Sequence, residues 1–307
     1  MKGRVIKSTG SWYLVQTDDE VVACRLKGKF KQDDLKLTNP IAVGDWVDFE
    51  KEENQETAVI FDILPRENYV IRKSTRKQHF SHIIASNLDQ AILVITMKSP
   101  RTSLGFIDRF LVSTESFRIP AILVVNKMDQ MSGEKADDWL LDIHEIYEPL
   151  GYRVIEASAL KEENLKDKFK SVLAGKSTLI SGHSGVGKST LLNALVPAAT
   201  QHTKEVSGFT AKGVHTTTFA ELFALEYGGD LIDTPGIKEF GILDIEDNEL
   251  SHYFPEMRKY LGQCKYNNCQ HVNEPGCVVL EKVEAGYIHP YRYESYLNIL
   301  NEEDDYR

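Results

Sequence analysis

The stretch Ile180–Leu195, with the sequence ISGHSGVGKSTLLNAL, constrains the fold most strongly. Residues Gly182–Ser189 read Gly, four intervening residues and then Gly-Lys-Ser, which is the pattern of a phosphate-binding loop. Glycines let the backbone turn tightly and approach an anion, so that successive N–H groups and the following helix N-terminus point at a phosphate. An apolar strand, Ser177–Ile180, precedes the loop, and an amphipathic helix follows it. The sequence therefore predicts a nucleotide-phosphate site in an α/β fold.

The residues of this loop have distinct expected roles. In such loops the lysine, here Lys188, places its charge between the β- and γ-phosphates, and the hydroxyl of Ser189 can bind Mg²⁺. The main chain of the loop supplies N–H groups to the phosphates. We therefore predict that the whole loop binds nucleotide: Gly182, His183, Ser184, Gly185, Val186, Gly187, Lys188, Ser189 and Thr190.

Length and composition indicate a soluble protein of several domains. The chain has 307 residues, 42% of them hydrophobic and 27% charged, which suits about two or three domains with their own cores. No apolar run approaches the length of a membrane span, and the first residues lack the apolar core of a signal peptide. We expect a cytoplasmic protein with no membrane partner.

Residues 1–66 are predicted to form a small β-barrel of the oligonucleotide-binding (OB) type. Turn residues separate five short strand candidates, at residues 5–6, 12–15, 21–26, 46–49 and 58–63. OB barrels often bind RNA, but a fold alone does not establish a partner. The net charge of −10 does not point to nucleic acid, so a local basic cluster would have to contact it. One polar loop carries such a cluster, which is otherwise simply solvated: Lys27, Lys29, Lys31 and Lys36.

Residues 67–87 are predicted to be a linker. A run of cations is followed there by His79 and Phe80. The run is either a flexible, solvated connector or a segment that faces RNA or acts as a switch. Its cations are Arg72, Lys73, Arg76 and Lys77.

Residues 88–237 are predicted to form an α/β domain, because strands and helices alternate there. The first predicted strands are residues 91–95, 121–125 and 153–156, and the helices between them are residues 105–117 and 136–150. This alternation is typical of a parallel sheet with helices on both faces.

Two short motifs at strand ends favour guanine over adenine. The Asp129 carboxylate can accept hydrogen bonds from N1–H and the exocyclic amine of guanine, a pair of donors that adenine lacks. Asn126 can brace the loop while the stem of Lys127 lies along the base. Each motif is weak alone, but together, beside a phosphate loop, they favour GTP over ATP. The predicted base-binding residues are Asn126, Lys127, Met128, Asp129, Ser158 and Ala159.

Two segments after the phosphate loop are predicted to respond to the γ-phosphate. One threonine of residues 216–218 is expected to complete the Mg²⁺ shell with Ser189, and we take Thr217 as that residue. Asp233, at the end of a strand, can hold Mg²⁺ through water. The N–H of Gly236 can contact the γ-phosphate. These loops would be ordered by GTP and released after hydrolysis.

The motifs occur in a rearranged order along the chain. In a standard GTPase the phosphate loop comes first and the guanine motifs last, whereas here the guanine motifs precede the loop. Strand-end loops converge on one edge of a parallel sheet whichever strand comes first, so the site survives the rearrangement. The new order leads the second switch directly into the C-terminal module.

Residues 238–307 are predicted to be a mainly helical module with a structural zinc site. Residues 248–261 have helical spacing. Three thiolates and one imidazole saturate tetrahedral Zn²⁺ and leave no open position. The alternative is three unrelated reduced cysteines with a chance histidine, and Cys24 is instead expected in the barrel core. The predicted ligands are Cys264, Cys269, His271 and Cys277.

Together these features resemble the RsgA (YjeQ/YloQ) family of circularly permuted GTPases. The resemblance rests on the GHSGVGKST loop, the HTTT and DTPG segments, the N-terminal barrel and the Cys/Cys/His/Cys cluster, and it spans essentially the whole chain. It implies an OB-fold barrel, a permuted P-loop GTPase domain and a zinc-binding helical domain. It implies a GTPase that binds the small ribosomal subunit and its rRNA, acts in late maturation of that subunit and is stimulated by it. It also implies a cytoplasmic monomer with one structural Zn²⁺, with Mg²⁺ beside GTP or GDP, and no DNA partner.

The water-positioning role is assigned to His215. In Ras-like enzymes a glutamine after the second switch orients the attacking water, and Ile237 stands at that place here. We therefore assign catalysis to His215, Lys188 and Thr217, while the alternative is that His215 is a switch residue that contacts RNA. Two other functions stay open: an RNA-binding scaffold that holds GTP as a structural ligand, and a permuted GTPase that acts on the large subunit.

Overall fold

The protein consists of an N-terminal five-stranded barrel, a central sheet covered by helices and a C-terminal helical module. A computed structural model describes residues 1–27, 39–52, 56–73, 81–196, 220–234 and 245–304. This architecture confirms the predicted fold class. Within those ranges, no helix combines the length and the apolar character that a membrane crossing requires.

The barrel is formed by strands whose inward residues are apolar, as the two-residue period of a strand requires. Its strands are β1 (Lys2–Ser8), β2 (Tyr13–Gln16), β3 (Val21–Leu26), β4 (Trp46–Lys51) and β5 (Thr57–Ile63). Strand β1 pairs with both β2 and β4, which closes the barrel in the order β1-β2-β3-β5-β4. Val5, Phe49 and Ile60 are fully buried in its core, as is Cys24. Of the four barrel lysines predicted to contact RNA, Lys29, Lys31 and Lys36 lie outside the described residues.

The segment predicted to be a linker contains two paired strands. Strands β6 (Tyr69–Lys73) and β7 (Ser81–Ser86) are antiparallel, with Ile71 opposite Ile83. These two isoleucines pack on Ala42 and Phe117, so the hairpin is anchored by apolar contacts. The sequence did not predict these strands because their short apolar stretches lie next to a run of cations, which is typical of a solvated segment. Arg76, Lys77, His79 and Phe80 lie outside the described residues, and the predicted domain boundaries stay predictions.

The central sheet has six strands and is buried on both faces. Its strands are β8 (Gln90–Ile95), β9 (Ala121–Val125), β10 (Arg153–Glu156), β11 (Ser177–Ser181), β12 (Glu221–Ala224) and β13 (Asp230–Asp233). They lie in the order β10-β9-β8-β11-β13-β12, all parallel except β12, which is antiparallel to β13. Every residue of β8, β9 and β11 is buried, which explains their continuous apolar runs.

Helices cover both faces of this sheet, as predicted. They are α1 (Leu104–Ser116), α2 (Glu134–Tyr147), α3 (Leu165–Leu173) and α4 (Lys188–Leu195). Helices α1 and α2 share one apolar core with the sheet, and α3 and α4 share the other. Helix α2 ends at Tyr147 and a 3₁₀ turn, Glu148–Leu150, continues to the predicted end. Helix α3 was not predicted, although its buried residues follow a helical period: Leu165, Phe169, Val172 and Leu173.

The barrel and the central sheet are joined edge to edge. Strand β1 pairs with β12, with Lys7 opposite Glu221, and an ion pair of 3.0 Å links their side chains. Arg4 reaches further across the junction. It donates hydrogen bonds to Asp230 at 2.6 Å and to the Ser177 hydroxyl at 2.6 Å. The barrel therefore extends the central sheet, and hydrogen bonds and an ion pair hold the junction.

The C-terminal module is less regular than predicted. In place of one helix over residues 248–261, a 3₁₀ turn, Leu250–Tyr253, is followed by a short helix, α5 (Pro255–Arg258). A proline can begin a helix but lacks the N–H needed in its interior, so Pro255 separates the two. Helices α6 (Val278–Glu284) and α7 (Pro290–Asp304) complete the module.

A buried ion-pair cluster joins this module to the central domain. Arg292 of α7 is 1% exposed; it donates to Asp108 of α1 at 2.5 Å and to Glu256 of α5 at 2.6 Å. The Tyr147 hydroxyl also donates to Asp108 at 2.8 Å, and the Arg292 guanidinium lies over the Phe254 ring. Because a buried charge requires partners, this cluster fixes α7 against α1.

Candidate nucleotide site and metal centre

The carboxyl ends of four parallel strands bring the predicted nucleotide-binding residues to one edge of the sheet. The phosphate loop follows β11, the Asn126–Asp129 motif follows β9, and the Ser158–Ala159 pair comes shortly after β10. Asp233 is the last residue of β13, the neighbour of β11. The rearranged order along the chain therefore produces one continuous site, as the topology of parallel sheets requires.

Two glycines of the phosphate loop are required by close contacts. A Cβ on Gly182, whose φ is +141°, would lie 2.4 Å from the carbonyl oxygen of Val94. A Cβ on Gly187, whose φ is +96°, would lie 2.3 Å from Nδ2 of Asn126. Both distances are far below van der Waals contact, and both backbones favour glycine. The loop can thus pack directly against the strand β8 and the guanine motif.

Lys188 lies inside the curve of the loop. Its Nζ donates hydrogen bonds to the carbonyl oxygens of Gly182 at 2.5 Å and His183 at 2.8 Å. Burial lowers the pKa of Lys188, and the charge of Asp233 opposes that change. Burial conversely raises the pKa of Asp233, and the charge of Lys188 opposes that rise. The two groups form a mutually stabilising cation and anion at the place where phosphate and Mg²⁺ would bind.

Asn126 holds three loops together. Its side chain is buried, Nδ2 donates to the Val186 carbonyl at 2.9 Å, and Oδ1 accepts from the Ala159 N–H at 3.1 Å. One amide group thus connects the phosphate loop, the first guanine motif and the second guanine motif. The bracing role predicted for Asn126 has a direct geometric basis.

The base-reading residues are arranged by further hydrogen bonds. The Asp129 N–H donates to the Ser158 hydroxyl at 3.0 Å, and the Met128 N–H donates to the Ala157 carbonyl at 3.1 Å. The ammonium of Lys127 donates to the Ser99 carbonyl at 2.7 Å. Two hydrogen bonds therefore tie the loop that carries Asp129 to the loop that follows β10.

Sequence reasoning missed several residues that shape this site. Glu162 accepts from the Ser158 N–H at 3.1 Å and so fixes the second guanine motif. A carboxylate four residues after a serine at a loop bend is a weak signal of such a bond. The His183 ring stacks on Phe106 of α1, with centroids 3.7 Å apart. No local sequence pattern predicts this contact.

Three predicted site residues lie outside the described part of the chain: His215, Thr217 and Gly236. The catalytic role of His215 and the Mg²⁺ role of Thr217 therefore stay predictions, as does the assignment of Ser189 to Mg²⁺. The structure brings together the other predicted residues of the nucleotide site.

The predicted zinc ligands converge on a single point. One ligand atom each from Cys264, Cys269, His271 and Cys277 lies within 4.8 Å of the others. Nδ1 is the ring nitrogen of His271 that faces the sulfurs, 3.6 Å from Cys264 Sγ and 3.4 Å from Cys277 Sγ. Three sulfurs and one imidazole nitrogen at this spacing fit tetrahedral zinc, with no place for a substrate.

The loop that carries these ligands is supported by hydrogen bonds from outside. The Tyr293 and Tyr296 hydroxyls donate to the carbonyls of His271 and Gln270 at 2.7 and 2.6 Å. Burial raises the pKa of Cys269 to about 12, and the neighbouring sulfurs add to the rise. A bound cation would remove this penalty on the thiolates, because metal ligands must be deprotonated.

Comparisons with known proteins decide the family. A family model described as the RsgA N-terminal domain matches residues 2–60, and one described as RsgA GTPase matches residues 63–243, more than half of the chain. The chain belongs to the RsgA GTPase family. It is therefore an enzyme that hydrolyses GTP, and membership of the family implies Mg²⁺ bound with GTP.

RsgA relatives match the chain from end to end. A protein of Cytophaga hutchinsonii described as small ribosomal subunit biogenesis GTPase RsgA is 53% identical, with full coverage of both chains. A protein of Bacteroides fragilis with the same description is 48% identical and covers 99% of this chain, with 98% of its own length matched.

Two solved structures share the fold. YjeQ from Thermotoga maritima is 35% identical with a TM-score of 0.75, and coverage is 98% of this chain and 97% of YjeQ. YloQ, described as a circularly permuted GTPase, is 32% identical with a TM-score of 0.74, and coverage is 100% of this chain and 96% of YloQ. The circular permutation predicted from the order of the RsgA motifs is confirmed.

Proposed function

We propose that this GTPase acts in late maturation of the small ribosomal subunit, which it binds through the rRNA. It is a cytoplasmic monomer that docks in its GTP-bound form, hydrolyses GTP when the subunit stimulates it, and is released with GDP. The observation that carries this proposal is the end-to-end match to relatives described as small ribosomal subunit biogenesis GTPases. The match includes the barrel and the C-terminal module as well as the catalytic domain. The relatives therefore share every region of the chain through which it could bind the subunit.

The nucleotide site supports an enzyme over a scaffold that merely holds GTP. Lys188 and Asp233 carry opposite charges that stabilise each other at the phosphate end, where charge develops during phosphoryl transfer. Asn126, Asp129 and the Ser158–Ala159 pair form the guanine end, tied to the phosphate loop by hydrogen bonds. Mg²⁺ bound by Ser189, Thr217 and, through water, Asp233 would neutralise phosphate charge.

The water-positioning role of His215 belongs to this proposal. Ile237 stands where Ras-like enzymes have a catalytic glutamine, so another group must orient the water. We propose that docking on the subunit orders the switch and brings the His215 imidazole to the water. The His215→Ala variant should bind GTP normally but lose subunit-stimulated turnover. Unchanged stimulated turnover would remove His215 from the mechanism.

Binding to separated ribosomal subunits tests the proposal most directly. The protein is loaded with a non-hydrolysable GTP analogue and sedimented with purified small or large subunits. We expect it to pellet with small subunits and less so when loaded with GDP. If the protein pelleted only with large subunits, we would conclude that it acts on the large subunit.

Single-turnover hydrolysis separates the enzyme from the scaffold. GTP turnover is measured with the protein alone and with small subunits added. Stimulation in the second case is expected, and absence of turnover in both would favour a structural role for GTP.

A further inference from the structure

A cation that belongs to neither guanine motif lies beside the base-reading carboxylate. Nζ of Lys161 is 3.3 Å from Oδ2 of Asp129. The Asp129 side chain is 12% exposed, whereas that of Lys161 is 68% exposed. The carboxylate is thus mostly enclosed by its loop, and the lysine reaches it from the solvent side.

The main chain of Lys161 lies in a hydrogen-bonded turn. Its N–H donates to the Ser158 carbonyl at 3.0 Å, and the next N–H, of Glu162, donates to the same oxygen at 2.9 Å. The Glu162 carboxylate in return accepts from the Ser158 N–H. This turn sets the position from which the lysine side chain extends toward Asp129.

The Asp129 carboxylate is less constrained than its main chain. The N–H of Asp129 is bonded to the Ser158 hydroxyl, but the terminal torsion of an aspartate rotates over a broad range. Guanine recognition needs both carboxylate oxygens turned toward two parallel donors of the base. Among the described residues, Lys161 is the ion-pair partner that can restrict this rotation.

Lys161 and a guanine base can use the carboxylate at the same time. An ionised carboxylate offers about four lone-pair positions on its two oxygens. The N1–H and the exocyclic amine of guanine occupy one on each oxygen, and the ammonium of Lys161 occupies another on Oδ2. The ion pair therefore prepares the carboxylate for the base without competing for the same position.

We propose that Lys161 is a positioning residue for guanine recognition, which acts by holding the Asp129 carboxylate toward the base. The inference rests on the proposed nucleotide site and adds a specificity-determining residue to it. The chemical group that it helps to select is the paired N1–H and exocyclic amine of guanine. A base without that amine gains less from the orientation.

The test compares GDP with inosine diphosphate, which lacks the exocyclic amine, in calorimetric titrations of the full chain with Mg²⁺. From the interaction free energies typical of contacting residues, we expect Lys161→Ala to lower GDP affinity by about three- to tenfold. The loss for inosine diphosphate should be smaller, so the ratio of the two affinities falls. Lys161→Arg should restore the ratio. Lys170→Ala, which removes the same charge from an exposed position on α3, should leave it unchanged.

The outcomes separate this inference from the proposed site. Suppose that the unaltered protein binds GDP, and that Lys161→Ala lowers the affinities for GDP and inosine diphosphate equally or changes neither. The positioning role is then overturned, while the proposed nucleotide site stands. If the unaltered protein shows no preference for GDP over ADP, both fail. In an Asp129→Asn background Lys161→Ala should have no further effect, and a persisting loss would also overturn the role.

Discussion

The nucleotide site and the cysteine–histidine cluster are built on different kinds of scaffold. The nucleotide site draws on loops scattered from Asn126 to Asp233, and strands that are buried on both faces hold those loops in place. The metal cluster draws on the short segment Cys264–Cys277, which consists of turns and irregular backbone and is supported by two tyrosine hydroxyls. A large core positions the first, whereas the second lies in a small module.

This difference indicates which site depends on its ligand for folding. Hydrogen bonds between protein groups already connect the loops of the nucleotide site, as the two bonds of the Asn126 side chain show. The cluster instead gathers groups whose charged forms are disfavoured by burial and by one another until a cation is present. We therefore expect metal removal to unfold the C-terminal module and nucleotide removal to leave the sheet intact.

The largest expected effect is that of removing one of the four predicted zinc ligands. Cys277→Ser should abolish zinc binding and unfold the module, since structural zinc contributes roughly 10–16 kcal/mol in small zinc-dependent folds. GDP affinity should change by only a few-fold. Zinc content by mass spectrometry, thermal unfolding and GDP titration measure the three quantities. A collapse of GDP affinity together with the module would show that the two regions are not independent.

Breaking the buried cluster between the regions should have the next largest effect. Arg292→Met leaves Asp108 and Glu256 buried without their cation and should lower the free energy of unfolding by about 3–5 kcal/mol. The matched control is Arg258→Met, which removes the partly exposed pair with Glu115 and should cost about 1 kcal/mol or less. Urea unfolding compares the variants, and equal losses would contradict the role assigned to burial.

The glycine at the contact between the phosphate loop and Asn126 provides a sharper test. Gly187→Ala places a methyl group 2.3 Å from Asn126 Nδ2, whereas Gly151→Ala has the same kind of backbone, φ near +95°, in open space. The second change should cost about 1–2 kcal/mol of stability through the backbone alone. The first should cost more and also weaken GDP binding, as titration would measure. If the two variants lost equal stability and equal GDP affinity, the contact with Asn126 would not be what requires glycine at this position.

The smallest expected effect is the pH dependence set by Asp233. Because its pKa is raised in the folded protein, its contribution to stability is largest below the ordinary aspartate pKa of about 3.9 and is lost as the pH rises through the raised value. Mg²⁺ requires the carboxylate, so the gain in GDP affinity from Mg²⁺ should shrink as the pH falls through that range, by up to about tenfold per pH unit. Asp233→Asn should remove the trend. A trend that persists in this variant would assign it to another group.

Much of the fold and of the site could be predicted from sequence because each signal was local. The phosphate loop, the Asn126–Asp129 motif and the four metal ligands are short patterns whose chemistry fixes the residue types. The alternating strands of the barrel were equally readable. Predicting these features requires no information about contacts between distant segments.

Several of the features that were missed depend on contacts between distant segments. The Arg292 cluster joins α7 to α1 across 184 positions of the chain, and no local pattern marks either residue. The β6–β7 hairpin is held by Ala42 and Phe117, which lie outside it. Other missed features were indicated by the local sequence: Pro255 interrupts an otherwise helical period, and the buried residues of α3 follow one.

The central claim is that loops in rearranged order form one guanine-binding site in which Asp129 reads the base. Asp129→Asn replaces two acceptors by one acceptor and one donor, which complements xanthine, where a carbonyl stands in place of the guanine amine. Calorimetric titration of this variant with GDP and with xanthosine diphosphate tests the claim most directly. The account predicts that GDP affinity falls by about a hundredfold or more while xanthosine diphosphate becomes the preferred ligand. Unchanged GDP affinity in this variant would contradict it.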